Sequence, residues 1–255
     1  MVLILLPPSE GKTPADAGTP VDLSTLSFPA LTQARQDVAS ALAQVSAQDD
    51  ALDQLGVGAT LVHEVSRNTR LAHEPAAPAH SIYTGVLFDA LGYHSLSKPQ
   101  QRKADAAVLV ISGLWGAVAF TDSIPAYRLS MSVKLPGLGK LAGFWKPRLA
   151  EAVAQHAEGH LLVDCRSSSY AAAWVPDPTR TVAINVFTER DGVRKVVSHF
   201  AKHTRGELTR HLITRKGPEP ETPAQLASAA GEKWRVELVQ GTARKAHALN
   251  IILPD

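Results

Sequence analysis

Three short apolar runs constrain this chain most: Val2 to Leu6, Ala106 to Ser112 and His160 to Cys165. Each is too short for a core helix, and each is bounded by turn or polar residues. A continuous run of that length reads as a strand covered on both faces. Between them the apolar period lengthens. Leu31, Ala34, Val38, Ala41, Leu42 and Val45 recur at helical spacing within Pro29 to Ala47, and Phe144 to Glu158 also reads as helix. Ile82 to Leu91 reads as a helix starting near Tyr83, and Lys98 to Lys103 as polar helix or loop. Later segments pair off instead. Thr181 to Thr188 alternates, Glu189-Arg190-Asp191-Gly192 supplies an Asp-Gly turn, and Val193 to Phe200 resumes strand character. Trp234 to Gln240 and Ala246 to Leu253 read as two strands around Gly241. Early strand–helix alternation with late hairpins predicts an α+β (mixed α/β) fold: one domain over residues 1–255, with a mixed β-sheet flanked by helices.

From Ala201 the hairpin becomes a helix. Ala201, Thr204, Leu208 and Leu212 form one apolar stripe, and Arg205 falls inside it, about 40° from Ala201. An arginine on a buried face keeps its charge and needs either a structural carboxylate or a bound anion. Both partners are open from the sequence. Lys202 and Thr209 sit on the shoulder, Arg210 faces away, and Gly206 leaves room beside Arg205. Between Arg190 and Lys216 eight Lys/Arg meet two Asp/Glu, a net of 8 − 2 = +6, whereas the whole chain nets 26 − 24 = +2. Clustered positive charge suits an anionic partner.

Other cations extend the candidate surface. Ala126 to Lys134 alternates as a strand, with Arg128, Ser130, Ser132 and Lys134 on one face. That face is either solvated or anion-binding. Lys12 lies in the loop Pro7 to Thr13 after the first strand. Gly11-Lys12-Thr13 resembles the tail of a Walker loop, but Leu6 stands where its first glycine belongs, which excludes a true P-loop. Lys12 is then a surface lysine or a strand-end anion contact. Ala51 to Arg70 reads as helix, Gly56-Val57-Gly58 turn, helix. This is either a plain helical turn or a helix-hairpin-helix, whose glycines bring backbone amides to a phosphate without reading a base. Ser112-Gly113-Leu114-Trp115-Gly116 is a ligand-facing loop or a packing turn.

Composition narrows the rest. A chain that is 45% apolar can bury a sizeable core without disulfides, and a single cysteine excludes an internal one. Cys165 at a strand end reads as a small core residue, although Asp164-Cys165-Arg166 places thiol and cation in one turn. The ten histidines show no zinc spacing; His199 and His203 straddle a strand–helix junction. No metal or cofactor is expected. The apolar start is too short for a signal peptide and nothing reaches membrane length, so a cytoplasmic protein is expected.

Several segments occur together in one order: Tyr83-Thr84-Gly85, Ser112 to Gly116, Pro125 to Met131, Phe144-Trp145, and Ser198, Phe200, Ala201-Lys202, Arg205-Gly206 and Arg210. In this the chain resembles the peroxide stress protein YaaA family, across roughly Leu3 to Ile213. Two departures stand out. Pro8-Ser9-Glu10-Gly11-Lys12 replaces a shorter Ser-Pro-Ala-Lys loop. Asp164-Cys165-Arg166-Ser167-Ser168-Ser169-Tyr170 replaces Asn-Leu-Ala-Ser-x-Glu-Tyr, which removes that segment's acidic residue. The resemblance implies a peroxide stress response that limits iron-dependent oxidative damage, and a fold that binds DNA. It also favours the hairpin at Gly56 and Gly58. Candidate DNA or anion contacts are Lys12, Arg128, Lys134, Lys202, Arg205 and Arg210, with no base-reading helix, so structure-selective or nonspecific DNA binding is expected. The alternative is an enzyme holding a nucleotide or other small anion in a pocket around Arg128, Lys202 and Arg205. A closed pocket favours the enzyme, and an open basic groove favours DNA.

Overall fold

The structure is a computed structural model; it describes residues 2–190, 193–196 and 198–254. Each of the three apolar runs holds a strand, the second only from Val108 because Ala106 and Ala107 end a helix, in a mixed α/β fold built on one eight-stranded sheet. In chain order the strands are β1 (Val2–Leu6), β2 (Val108–Ser112), β3 (Gly116–Ala119), β4 (Leu161–Asp164), β5 (Thr181–Arg190), β6 (Val193–Val196), β7 (Arg235–Val239) and β8 (His247–Leu253). Their spatial order is β7-β8-β5-β4-β1-β2-β3, with β6 paired to β5. The central strands β8, β5, β4, β1 and β2 are parallel, and β7, β3 and β6 are antiparallel additions. Every residue of β1, β2 and β4 is buried, as their unbroken apolar character requires.

Strand order creates the important feature. From β1 the chain crosses to β2 on one side, and its next parallel strand, β4, lies on the other side of β1. The carboxyl ends of β1 and β4 therefore flank a topological switch point, where open α/β sheets leave a crevice. No periodicity argument reveals strand order, so this site could not be located from the sequence.

Ten helices occur among the described residues. Those used below are α1 (Thr32–Ser46), α2 (Ala51–Leu55), α3 (Val62–Arg67), α4 (Ala79–Ile82), α5 (Val86–Leu91), α6 (Lys98–Ala107), α7 (Leu141–Ala157), α8 (Ser168–Ala171), α9 (Ser198–Thr214) and α10 (Pro223–Gly231). The predicted periodic helices are present: α1 buries Ala34, Val38, Leu42 and Val45. Its surprise is Arg35, fully buried, whose guanidinium donates to the carbonyls of Trp115 (3.0 Å), Ser27 (2.7 Å) and Ala117 (2.7 Å). Capping boxes Ser97/Gln100 and Thr222/Gln225 start α6 and α10.

Several expectations need correction. The strand expected over Ala126 to Lys134 is absent; only Lys134–Leu135 pairs, with Gly139–Lys140. Residues 127–131 nevertheless alternate buried and half-buried. The Asn68 side chain substitutes for a neighbouring strand, accepting from the Arg128 N–H at 2.9 Å and donating to the Arg128 carbonyl at 2.9 Å. The helix expected from Ile82 breaks at Tyr83-Thr84-Gly85, because Gly85 takes φ 96° there. Strand β6 ends at Val196 and α9 begins at Ser198, earlier than the period change at Ala201 suggested. Val193 pairs with Arg190 across the hairpin, while its turn residues, Asp191 and Gly192, lie outside the described residues.

Candidate functional site

The crevice is formed by the loop after β1, the loop and α8 after β4, the start of α5, and α9. Two hollows open there, sharing Glu10 and Ser130 as a wall. The outer one, about 350 Å³, is lined by Glu10, Gly56, Arg128, Ser130 and Lys134 among others. The inner one, about 420 Å³, is lined by Pro7, Ser9, Glu10, Ser169, Lys202 and Arg205 among others. The sequence-predicted cations thus divide. Arg128 and Lys134 face the outer hollow, and Lys202 and Arg205 the inner one. Lys12 and Arg210 line neither.

Arg128 already has partners. Its guanidinium donates to the Glu10 carbonyl at 3.0 Å and carboxylate at 3.1 Å, and lies 3.5 Å from the Glu64 carboxylate. Sequence reasoning missed both acids; Glu64 lies on α3, 64 positions away in the chain. Lys134 is exposed and has no partner among the described residues.

Lys12 is half-buried as a residue, but its ammonium is enclosed by protein. It donates to the Ser9 carbonyl at 2.8 Å and sits 4.2 Å from the Tyr127 ring centroid and 5.6 Å from that of Tyr83. Burial, and then the nearby Arg128 charge, lower its pKa to about 7, against the pull of Glu10 and Glu64. Behind it the hydroxyls of Tyr83, Tyr127 and Ser112 form a chain with links of 3.1 and 2.7 Å. Burial raises both tyrosine pKa values.

The structural carboxylate foreseen as one partner for Arg205 is not found among the described residues. The side chain is half-buried and donates through Nε (3.3 Å) and Nη2 (2.8 Å) to the carbonyl of Ile184. Strand β4 stops opposite Ala183, one residue short, so Arg205 takes the place of a ladder donor. Lys202 is exposed and has no partner among the described residues. Gly206 does not make room for a ligand. A Cβ there would lie 2.1 Å from the Leu87 carbonyl, so this glycine lets α9 close onto α5. Arg210, expected to face outward, folds over the end of α5 and donates to the carbonyls of Leu91 (2.8 Å) and Gly92 (3.1 Å) and to Ser95 Oγ (3.0 Å). Those orphan helix-end carbonyls attract a cation whatever its helical angle.

The +6 segment is not one free patch. Arg194 bridges Glu189 and Glu237, Arg215 pairs with Glu232, and Arg205 and Arg210 are held by backbone carbonyls. The compensating carboxylates Glu189, Glu232 and Glu237 lie outside the Arg190 to Lys216 segment.

The Gly-x-Gly turn caps α2. Gly56 takes φ 63° and donates to the Asp53 carbonyl, and a 3-10 turn over Ala59–Leu61 precedes α3. Both glycines face open space. The geometry is that of a capped turn between two short helices and does not by itself establish a helix-hairpin-helix. Trp115, buried at 1% exposure, makes its loop a packing turn; Gly116 takes φ 71°, and a Cβ added there would lie 2.7 Å from the Trp145 ring. Asp164 and Arg166 form a buried bidentate pair at 2.8 and 2.7 Å, with Arg166 also reaching the Tyr170 and Trp174 carbonyls. Cys165 between them is buried, and burial pushes its thiol up to about 12. Among the described residues no three His, Cys, Asp or Glu side chains converge as metal ligands. His199 lies outside the described side chains.

Architecture and crevice define an α/β protein whose switch-point crevice is lined by cations and the Glu10 carboxylate. The chain belongs to the peroxide stress protein YaaA family, whose family model matches residues 2–238. It is 46% identical to a UPF0246 protein of Streptomyces coelicolor over 233 residues, covering 89% of this chain and 88% of the relative. It is 40% identical to a UPF0246 protein of Corynebacterium efficiens over 243 residues, 94% and 96% of the two chains. A UPF0246 protein of Corynebacterium glutamicum is 39% identical over 236 residues, 90% and 93%.

Proposed function

We propose that the chain serves the peroxide stress response in the cytoplasm by binding DNA across the two hollows, limiting iron-dependent oxidative damage to it. One observation carries this reading: the uncommitted lysines Lys134 and Lys202 stand on either side of the shared Glu10–Ser130 wall. Phosphates drawn to such cations are held by charge without base readout. The open backbone at Gly56 and Gly58 would admit a phosphate beside Lys134. The cytoplasmic setting rests on the lone buried cysteine, and no described helix is long and apolar enough to cross a membrane.

The test is fluorescence anisotropy with duplex and branched DNA across a salt series. Four phosphate contacts give a log–log slope of about −3.6, and Lys134→Ala should make it shallower by about 0.9. Lys146→Glu, on the exposed side of α7, is the control and should bind as wild type. Absence of binding at low salt, or a slope untouched by Lys134→Ala and Lys202→Ala, overturns the reading.

A further inference from the structure

The inner hollow carries more than phosphate contacts. Its position at the carboxyl ends of β1 and β4 is that of ligand sites in open α/β sheets, and its volume of about 420 Å³ suits a small molecule. Its chemistry is three-sided. Pro7, Pro8, Val86 and Phe88 supply an apolar wall. Lys202 and Arg205 supply positive charge on one helix, with no described carboxylate bonded to either. Arg205 uses Nε and Nη2 on Ile184, which leaves Nη1 without a described partner.

The third side is polar and neutral or acidic. Ser9, Ser130, Ser167 and Ser169 line the space beside Glu10. Arg128 fixes Glu10 at its main-chain oxygen and one carboxylate oxygen, leaving Oε1 to accept. A carboxylate only accepts hydrogen bonds, so it selects a ligand that carries N–H or O–H donors. Inorganic phosphate would be repelled by it, and a purely apolar ligand would leave the two cations unused. A flat body with N–H donors at one edge and an anionic group at the other satisfies all three sides.

We propose that the inner hollow binds a single nucleotide, its base against the Pro7, Pro8 and Phe88 wall with an N–H edge toward Glu10, and its phosphate toward Lys202 and Arg205. This deepens the nucleic-acid reading and rests on it for one of two sources. The nucleotide is either one residue of a DNA strand turned out of its stack or a free mononucleotide. Extrusion from DNA costs least where the base is already unpaired.

Calorimetry with each deoxynucleoside monophosphate and with inorganic phosphate tests the pocket. Anisotropy with a matched duplex, and with the same duplex carrying one unpaired nucleotide, tests the source. At least one mononucleotide should bind about tenfold or more tightly than phosphate. Ser169→Trp, which fills the hollow, and Lys202→Glu, at an exposed position, should each weaken it about tenfold or more. Lys146→Glu should not change it. Thermal denaturation reports whether Ser169→Trp folds, and Lys202→Glu carries the test if it does not.

A preference for the unpaired duplex that Ser169→Trp abolishes identifies the strand as the source. Mononucleotide binding without that preference identifies a free nucleotide. If no mononucleotide outcompetes phosphate, or if binding ignores both variants, the proposal is overturned. Salt-dependent duplex binding that persists in that case leaves the DNA reading standing and removes only the pocket. Mononucleotide binding with no DNA binding does the reverse.

Discussion

Replacing Gly206 by alanine opposes two effects of known size. In a helix interior, Gly→Ala is worth about 1 kcal/mol of stabilisation through backbone entropy. At Gly206 the added Cβ would lie 2.1 Å from the Leu87 carbonyl oxygen and 2.9 Å from Ala90 Cβ. Ordinary contact begins at 3.4 Å, so α9 must withdraw from α5 by about 3.4 − 2.1 = 1.3 Å. The obstructing atom is backbone, which cannot rotate away. Overpacking of this kind costs about 1–3 kcal/mol and occasionally more. A clash with backbone belongs at the upper end, so the expected net loss is about 2 kcal/mol. At about 2–4 °C per kcal/mol for a chain of this size, the midpoint should fall by roughly 4–8 °C. Gly143 on α7 is the internal control, because nothing lies within 4 Å of its Cβ position. There the propensity gain stands alone, and Gly143→Ala should raise the midpoint by about 2–4 °C. Thermal denaturation by circular dichroism measures both. A Gly206→Ala protein as stable as wild type would refute the close approach of α9 and α5, and with it the shape of the inner hollow.

Lys12 should make stability depend on pH in a definite direction. Its folded pKa, about 7, lies below the ordinary 10.5, so between these values the unfolded chain holds the extra proton and stability rises with pH. Lys12→Met should flatten that rise in denaturant midpoints measured from pH 7 to 10; an unchanged slope refutes the enclosure of its ammonium. Cys165, buried and with its thiol pushed up to about 12, should resist thiol reagents at pH 8 until the protein is denatured. Cys165→Ser should keep DNA affinity within a few-fold, and rapid labelling of the native protein would refute the burial argument.

The sequence by itself determined the elements whose side-chain period is set by one buried face. The continuous apolar runs had to become covered strands, and Ala201, Leu208 and Leu212 had to turn one side of α9 inward. Burial removes those faces from water wherever the elements finally pack. The family was legible too, because its short motifs keep their order along the chain. The partners of polar groups were a different matter. Arg205 was placed correctly on the inner side, yet it bonds the Ile184 carbonyl because β4 ends one residue short. Arg210 points outward by helical angle but bends to the orphan carbonyls of α5. Arg128 meets Glu64 from a helix far earlier in the chain. Asn68 holds extended a segment whose alternation mimics a strand. Only the tertiary structure decided these, since a charged or hydrogen-bonding group takes the nearest partner in space, and strand order, not sequence spacing, decides which partner is near. The crevice between β1 and β4 follows from the same cause: Ser9, Glu10 and Ser169 are unremarkable polar residues until the crossover places those two strand ends side by side.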